Sequence, residues 1–220
     1  VGEATSLTAI VNQLNFVPKK ISGFDISLSR IAYARKFTKA RLSVEVDLAV
    51  ADMEQSPMAD NSVDLVYTVH ALEPNGGNEI ALLKELYRVT GRYLVLFEPS
   101  YELGGEASRQ HIKKHNYVRG LVDHARAIGC NVIENRLLFK SNDLSDNNTS
   151  VIVIEKPYSL SDSISQNDRT KWACPISKHS LIDVKGCHYS PKIHVAYPQI
   201  DGIPILLQKK STLATHFSEF

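Results

Sequence analysis

A glycine turn and two acidic residues are the first groups in this chain whose types and spacing could do chemistry. The chain opens Val1-Gly2-Glu3-Ala4-Thr5-Ser6 and then follows a helical pattern through Leu14. A glycine between a strand and a helix lets backbone approach a ligand closely, and a helix N-terminus offers free N–H groups and a partial positive charge. Asp25 closes the apolar run ISGFD, roughly twenty residues after the turn, the spacing at which a carboxylate accepts both hydroxyls of a ribose. Asp52 closes the next run, in VADMEQSPM. It falls on the same carboxyl edge of an α/β sheet, where open folds of this kind bind ligands. Each aspartate alone also suits a cap or turn. In this order, at successive strand ends, the pair favours a nucleoside-containing ligand. His70, Glu73, Glu98 and Tyr101 follow the next two apolar runs. All four can move protons, and His70 does so from an unperturbed pKa near neutrality. A structural or pocket role for His70 stands beside that reading, and Glu98 also suits a strand-end cap.

A second group is basic. RQHIKKHNYVR, residues 109–119, contains Arg109, Lys113, Lys114 and Arg119 with His111, His115 and Tyr117 among them. Such a segment can bind an anionic substrate, a phosphate or an RNA backbone, or it can be a solvated helix face. Asn147-Asn148-Thr149 has the glycosylation-acceptor pattern with no export signal beside it. Cys130, after Gly129, reads as a small buried hydrophobe.

The elements that must position these groups follow from periodicity. Short β-branched runs at 21–26, 45–51, 63–69, 92–98, 132–139 and 150–156 read as strands. Helical stretches lie between them, which predicts an α/β fold: a Rossmann-like, mostly parallel sheet with helices on both faces and its last strand antiparallel. Ser27 is the expected N-cap of a helix over Leu28 to Phe37. From Glu79 to Val89 the residues Ile80, Leu83, Leu86 and Tyr87 form one stripe for packing on the sheet. Another helix is expected within 106–128. Polar residues 159–171 read as a linker after a domain at 1–158, and a small β-rich unit with a tail is expected over 172–220.

Composition narrows the classes. The 220 residues carry 25 basic and 24 acidic side chains, a formal net charge of +1, and 43% are hydrophobic. That is a globular composition, and its near-neutral charge disfavours broad nucleic-acid binding. No apolar run is long enough to span a membrane, and the first residues lack the pattern of a secretory signal, so a cytoplasmic protein is expected. Three cysteines do not make a disulfide framework.

The strings GFDIS, VADMEQSPMADNSVDLVYTVHALE and ELYRVTGRYLVLFEP resemble the class I S-adenosylmethionine-dependent methyltransferases, in particular their small-molecule branch, over residues 1 to about 157. The resemblance aligns Gly2 with the second glycine of the family's G-x-G-x-G turn and Ala4 with the third. It implies that Gly2, Glu3, Ala4, Asp25 and Ile26 hold the cofactor, with Asp25 on the ribose. It also implies that Asp52 and Met53 flank the adenine, and that His70 and Ala71 line the methionine end. Methyl transfer needs a nucleophile held in line with the S–CH₃ bond, and needs a base only when that nucleophile must lose a proton. His70, Glu73 and Tyr101 are the candidates for that catalysis, while Glu98, Arg109, Lys113 and Tyr117 are the candidates for substrate contact. Pro74 stands where relatives commonly show an acidic residue after a histidine, a departure that weakens any borrowed catalytic role.

Cys174-Pro175-Ile176-Ser177, Cys187-His188-Tyr189-Ser190 and the segment Tyr197 to Pro204 resemble a small zinc-ribbon-like domain found as an activator partner of methyltransferases. Serine replaces cysteine at two ligand positions, so a metal-free remnant is expected and zinc is not. The implied function is methyl transfer from S-adenosylmethionine to a small polar, anionic or sugar-linked metabolite, with the C-terminal unit covering an edge of the catalytic domain or contributing to the substrate cleft. Alternatives are an RNA methyltransferase and a non-catalytic interaction scaffold. Because the family's first strand would precede Gly2, the chain is expected to extend upstream by about 30–40 residues.

Overall fold

The computed structural model describes residues 1–138, 147–157, 172–184 and 186–215. The helices are α1 (Thr5–Gln13), α2 (Leu28–Arg41), α3 (Glu79–Val89), α4 (Glu106–His115) and α5 (Leu121–Ala127). The strands are β1 (Ile21–Asp25), β2 (Val46–Ala51), β3 (Val63–Val69), β4 (Thr90–Pro99), β5 (Asn131–Leu137) and β6 (Thr149–Glu155). Five more follow: β7 (Ile182–Val184), β8 (Cys187–Ser190), β9 (Val195–Ile200), β10 (Ile203–Leu206) and β11 (Thr212–Leu213). The chain divides into two compact units, one of Val1–Ala59 with Ile164–Phe220 and one of Asp60–Ser163. The linker expected at 159–171 lies outside the described residues, as does residue 139 of the fifth expected strand.

In the first unit the strand order is β1-β2-β10-β9-β8-β7, with β11 paired to β9. β1 and β2 run parallel, Asp25 opposite Val50. Leu48 to Ala51 are all buried, the pattern of a strand covered on both faces. Residues 172–215, expected as a separate unit, instead share a sheet and a core with β2. β10 pairs with it in parallel, Ile205 opposite Val50 and Leu206 opposite Ala51. Ala49, Ala51, Cys174, Leu181, Tyr197 and Leu206 form one buried cluster. The β9–β10 hairpin turns on Asp201 (φ 49°) and Gly202 (φ 72°), two left-handed residues of the kind an Asp-Gly turn supplies. Arg35 of α2 donates to the Asp201 carbonyl and ties that turn to the helix. Ser27 caps α2 as expected, accepting from the Arg30 amide, and the helix continues beyond Phe37 to Arg41.

The second unit has strand order β3-β4-β6-β5. β3 and β4 are parallel, joined through α3, whereas β6 is antiparallel to both β4 and β5. β6, the last strand of the expected sheet, is thus antiparallel as expected, and the antiparallel pairs among β7 to β11 make the sheets mixed rather than mostly parallel. Leu82, Leu83, Leu86 and Val89 are the apolar residues that α3 buries. Ile80, expected on that stripe, is 43% exposed. The single helix expected within 106–128 is two, because Asn116 (φ 51°) ends α4 and Gly120 (φ 64°) opens α5 in left-handed backbone. No helix among the described residues is long and apolar enough to cross a membrane.

Candidate active site

The first unit carries the turn and both aspartates. Gly2 (φ 57°) and Ala4 (φ 62°) are left-handed, so the position aligned with the third glycine keeps a glycine-like backbone although its residue is alanine. A Cβ on Gly2 would meet nothing within 4 Å, which marks open space beside the turn. α1 has no side-chain cap at its N-terminus, so the amides of its first turn are available to a ligand. The Gly2 amide donates to Asp25 Oδ2 at 3.0 Å. The Ser27 amide donates to Oδ1 at 3.0 Å. These bonds fix the carboxylate and leave a further acceptor site on each oxygen, the arrangement that two neighbouring hydroxyls can use. Asp52 accepts from the Glu54 amide at 3.0 Å and so caps the short turn Met53–Gln55. Met53 is half-buried beside it, while Glu3 is exposed and Ile26 is 59% exposed at the end of β1.

In the second unit His70 follows β3 with φ 48°. Its amide donates to the Phe97 carbonyl at 2.9 Å. The imidazole is held at both nitrogens: Nδ1 lies 2.7 Å from Glu73 Oε2 and Nε2 2.8 Å from Thr149 Oγ1. Asn147 Nδ2 donates to the other Glu73 oxygen at 3.4 Å. The hydrogen bond with Glu73 raises the His70 pKa above its ordinary value; burial opposes this, and the charges of Glu73 and Glu98 add to it.

Glu98 is fully buried. Its Oε1 accepts from the amides of Ala71 at 3.0 Å and Leu72 at 3.2 Å, and its Oε2 accepts from the Glu73 amide at 3.1 Å. Burial lifts its carboxyl above the usual range against the pull of these donors. Both oxygens of this residue, a sequence-based candidate for substrate contact, are thus turned to the loop backbone. The sequence patterns did not single out Thr149 or Asn147 for the site. Their only signal was the acceptor-like triplet, which carries no information about a histidine 79 residues away.

The basic segment makes its own cluster. Arg109 Nε donates to the Tyr101 carbonyl at 3.1 Å and Nη2 to the Glu102 carbonyl at 3.4 Å. Lys113 Nζ stands 5.4 Å from the Tyr101 ring centroid. Tyr117 stacks on His115 at 5.3 Å and meets His111 edge-on at 5.6 Å. This cluster is fastened to the His70 loop. The Val118 amide donates to the Glu73 carbonyl at 3.1 Å, and a Cβ on Gly76 would lie 2.0 Å from the Asn116 carbonyl oxygen. Tyr117 is thereby joined to the loop that carries His70 and Glu73, while Tyr101 belongs with α4.

The ribbon-like positions do not present a zinc donor set. Cys174 Sγ contacts Tyr197 Oη at 3.2 Å and accepts from the Ser177 amide at 3.4 Å. Burial pushes this thiol up, but the hydrogen bonds from Ser177 and Tyr197 bring it below its ordinary pKa. Cys187 donates instead to the Val184 carbonyl. Two of the four pattern positions are hydroxyls, Ser177 and Ser190, whose oxygens lie 3.5 Å apart, and hydroxyls are poor zinc ligands. Among the described residues no group of three or more His, Cys, Asp or Glu could hold a metal ion. All three cysteines are free thiols.

Residues 1–93 match a family described as a methyltransferase domain. No curated protein matches the sequence. Among solved structures, the fold is similar to a SAM-dependent methyltransferase from Methanosarcina mazei (16% identity, 72% of this chain and 90% of that one, TM-score 0.57). It is also similar to magnesium protoporphyrin IX methyltransferase from Synechocystis with bound SAH (15% identity, 71% of each chain, TM-score 0.54). A third similar structure is the 4+2 cyclase SpnF (16% identity, 71% and 72% coverage, TM-score 0.57).

Proposed function

We propose, from a methyltransferase domain on the fold of S-adenosylmethionine-dependent enzymes, that this chain methylates a protic group, hydroxyl or amine, on a small polar or sugar-linked metabolite. In this reading the chain is a methyltransferase with S-adenosylmethionine as its cofactor, supported by the domain matched over residues 1–93. When bound, that cofactor supplies an activated methyl on a sulfonium. The observation that carries the rest of the reading is the His70–Glu73 pair at 2.7 Å. A carboxylate on Nδ1 fixes that proton and leaves Nε2 as the basic nitrogen; in this reading the acceptor takes the place of the Thr149 hydroxyl on Nε2 and gives its proton there as the new bond to methyl forms.

In this reading Asp25 accepts from the ribose hydroxyls, and Gly2, Glu3 and Ala4 bring backbone to the cofactor. Ile26, Asp52 and Met53 flank the adenine, and His70 and Ala71 meet the methionine end. Glu73 orients His70. Glu98 holds residues 71–73 by their amides and is a positioning residue. Tyr117 and Lys113 contact the acceptor, with Arg109 and Tyr101 shaping their cluster. The half-buried rings of His111 and Tyr117 and the exposed ammonium of Lys113 suit a small anionic acceptor.

Calorimetry with S-adenosylhomocysteine tests the cofactor half. Wild type binds in the micromolar range, and Asp25→Ala loses more than about tenfold in affinity because it leaves the ribose hydroxyls unpaired. No binding at millimolar ligand overturns the proposal. The base is tested by the pH dependence of methyl transfer over a panel of hydroxyl and amine metabolites. A rate that needs neutral His70 rises with pH through a midpoint above 6.5, because the folded pKa is raised. A pH-independent rate removes His70 from the chemistry.

A further inference from the structure

We infer that the amino edge of the β1–β2 pair is a docking surface for an anionic lipid bilayer. Phe16 and Val17 enter the acyl boundary, and the cations around them meet the headgroups. This surface is independent of the methyl-transfer reading.

The placement follows from topology. β1 and β2 are parallel, and Gly2, Asp25 and Asp52 gather at their carboxyl ends. α2 carries the chain from the end of β1 back to the start of β2. Its last turn and the residues just before β1 therefore lie at the opposite edge. The two segments line one open cleft of about 370 Å³, with Leu14, Phe16 and Val17 from one and Leu42 and Val44 from the other.

Two features of that edge belong together. The first is apolar exposure. Phe16 is 61% exposed and Val17 72%, with Pro18 fixing the backbone after them. Two neighbouring apolar side chains held in water forgo the burial that an apolar environment supplies. The second feature is charge. Residues 15–20 and 36–45 contain the basic side chains Lys19, Lys20, Lys36, Lys39 and Arg41 and a single acidic one, Glu45. All the basic residues are exposed. Lys20 pairs with Asp47 at 2.7 Å, which leaves Lys19, Lys36, Lys39 and Arg41 against Glu45. Arg41 lies over the Phe37 ring, 4.0 Å from its centroid, and so is held at the end of α2.

The combination selects the partner. A nucleic acid takes up the cations and can stack a base on Phe16, yet Val17 and the aliphatic residues beside it offer no ring face. A second copy of this chain about a two-fold axis brings the same cations face to face. An anionic bilayer presents headgroup charge over an apolar interior, and it asks for protruding side chains rather than a fitted groove. Each cation near such a surface contributes about fivefold in affinity, and salt screens that contribution.

The experiment is co-sedimentation of the full chain with vesicles of phosphatidylcholine alone and of equimolar phosphatidylcholine and phosphatidylserine. Binding is expected to the second only, weakening as ionic strength rises. Equal binding to both, or binding to neither, overturns the inference. Phe16→Ser with Val17→Ser lowers affinity for the anionic vesicles about tenfold or more, and Lys19→Gln with Lys39→Gln lowers it about 25-fold. All four side chains are exposed, so the urea midpoint of each pair stays at the wild-type value. If either pair binds as wild type, the contact lies elsewhere and the inference fails. Phe16→Trp keeps the binding, and its fluorescence is quenched by brominated acyl chains beyond that of wild type, whose one tryptophan is Trp172. An unquenched indole overturns the apolar entry. A chain that ignores both vesicles and instead binds polyuridylate in a salt-sensitive way uses this edge for nucleic acid, and the inference falls.

Discussion

Replacing Glu98 is the sharpest test of how this fold builds its site. Its carboxylate is fully buried and accepts from three consecutive backbone amides at 3.0, 3.2 and 3.1 Å. Glu98→Ala removes the acceptor of all three. A buried donor left unsatisfied costs about 1–3 kcal/mol. Water entering the vacated space recovers part of that, so the expected loss is about 3–5 kcal/mol. Against a total stability of about 5–15 kcal/mol this is severe, and at a urea m-value near 2 kcal/mol/M it moves the midpoint by about 1.5–2.5 M. Glu98→Gln is milder. Its carbonyl can still serve Ala71 and Leu72, but its NH₂ then faces the Glu73 amide, two donors in opposition, for about 1–3 kcal/mol. The pH dependence has a definite sign. The folded pKa is raised by burial above the ordinary 4.5, so the native state holds the proton longer than the unfolded chain. This contribution is full below 4.5 and is lost as pH rises through the folded pKa. Glu98→Gln removes that slope. Urea unfolding followed by circular dichroism at several pH values reads both effects. If Glu98→Ala unfolds at the wild-type midpoint, the carboxylate is not what holds residues 71–73 and the reasoning fails.

Two other predictions use different parts of the molecule. Gly76→Ala places a Cβ 2.0 Å from the Asn116 carbonyl oxygen, so backbone must shift; we expect a loss of about 2 kcal/mol or more in chemical denaturation, and a neutral substitution would show that the His70 loop is not packed against residue 116. Chelator treatment leaves the thermal midpoint unchanged, since Cys174 is satisfied by Tyr197 and the Ser177 amide; stoichiometric zinc in metal analysis of the purified protein would refute this.

Much of the fold was legible because it is periodic. Six strands and the cap at Ser27 were readable from apolar spacing and one hydroxyl. Ile80 lies off the buried face of α3, because a short helix offers two overlapping faces and only packing decides which is buried. α4 and α5 looked like one helix because nothing local announces that Asn116 will adopt a left-handed backbone.

The sequence by itself determined the local elements, the acidic residues at strand ends and the turn at Gly2, since each depends on neighbours a few positions apart. Tertiary structure alone decided that β10 joins β2, that Glu98 turns inward to the amides of residues 71–73, and that Thr149 meets His70. Those outcomes depend on which strands pair and in what register. The antiparallel pairing that sets Pro99 opposite Thr149 brings the start of β6 to the end of β4, and no period along the chain records such a partner. Side chains far apart in sequence become one site only when backbone hydrogen bonding has chosen their strands' neighbours.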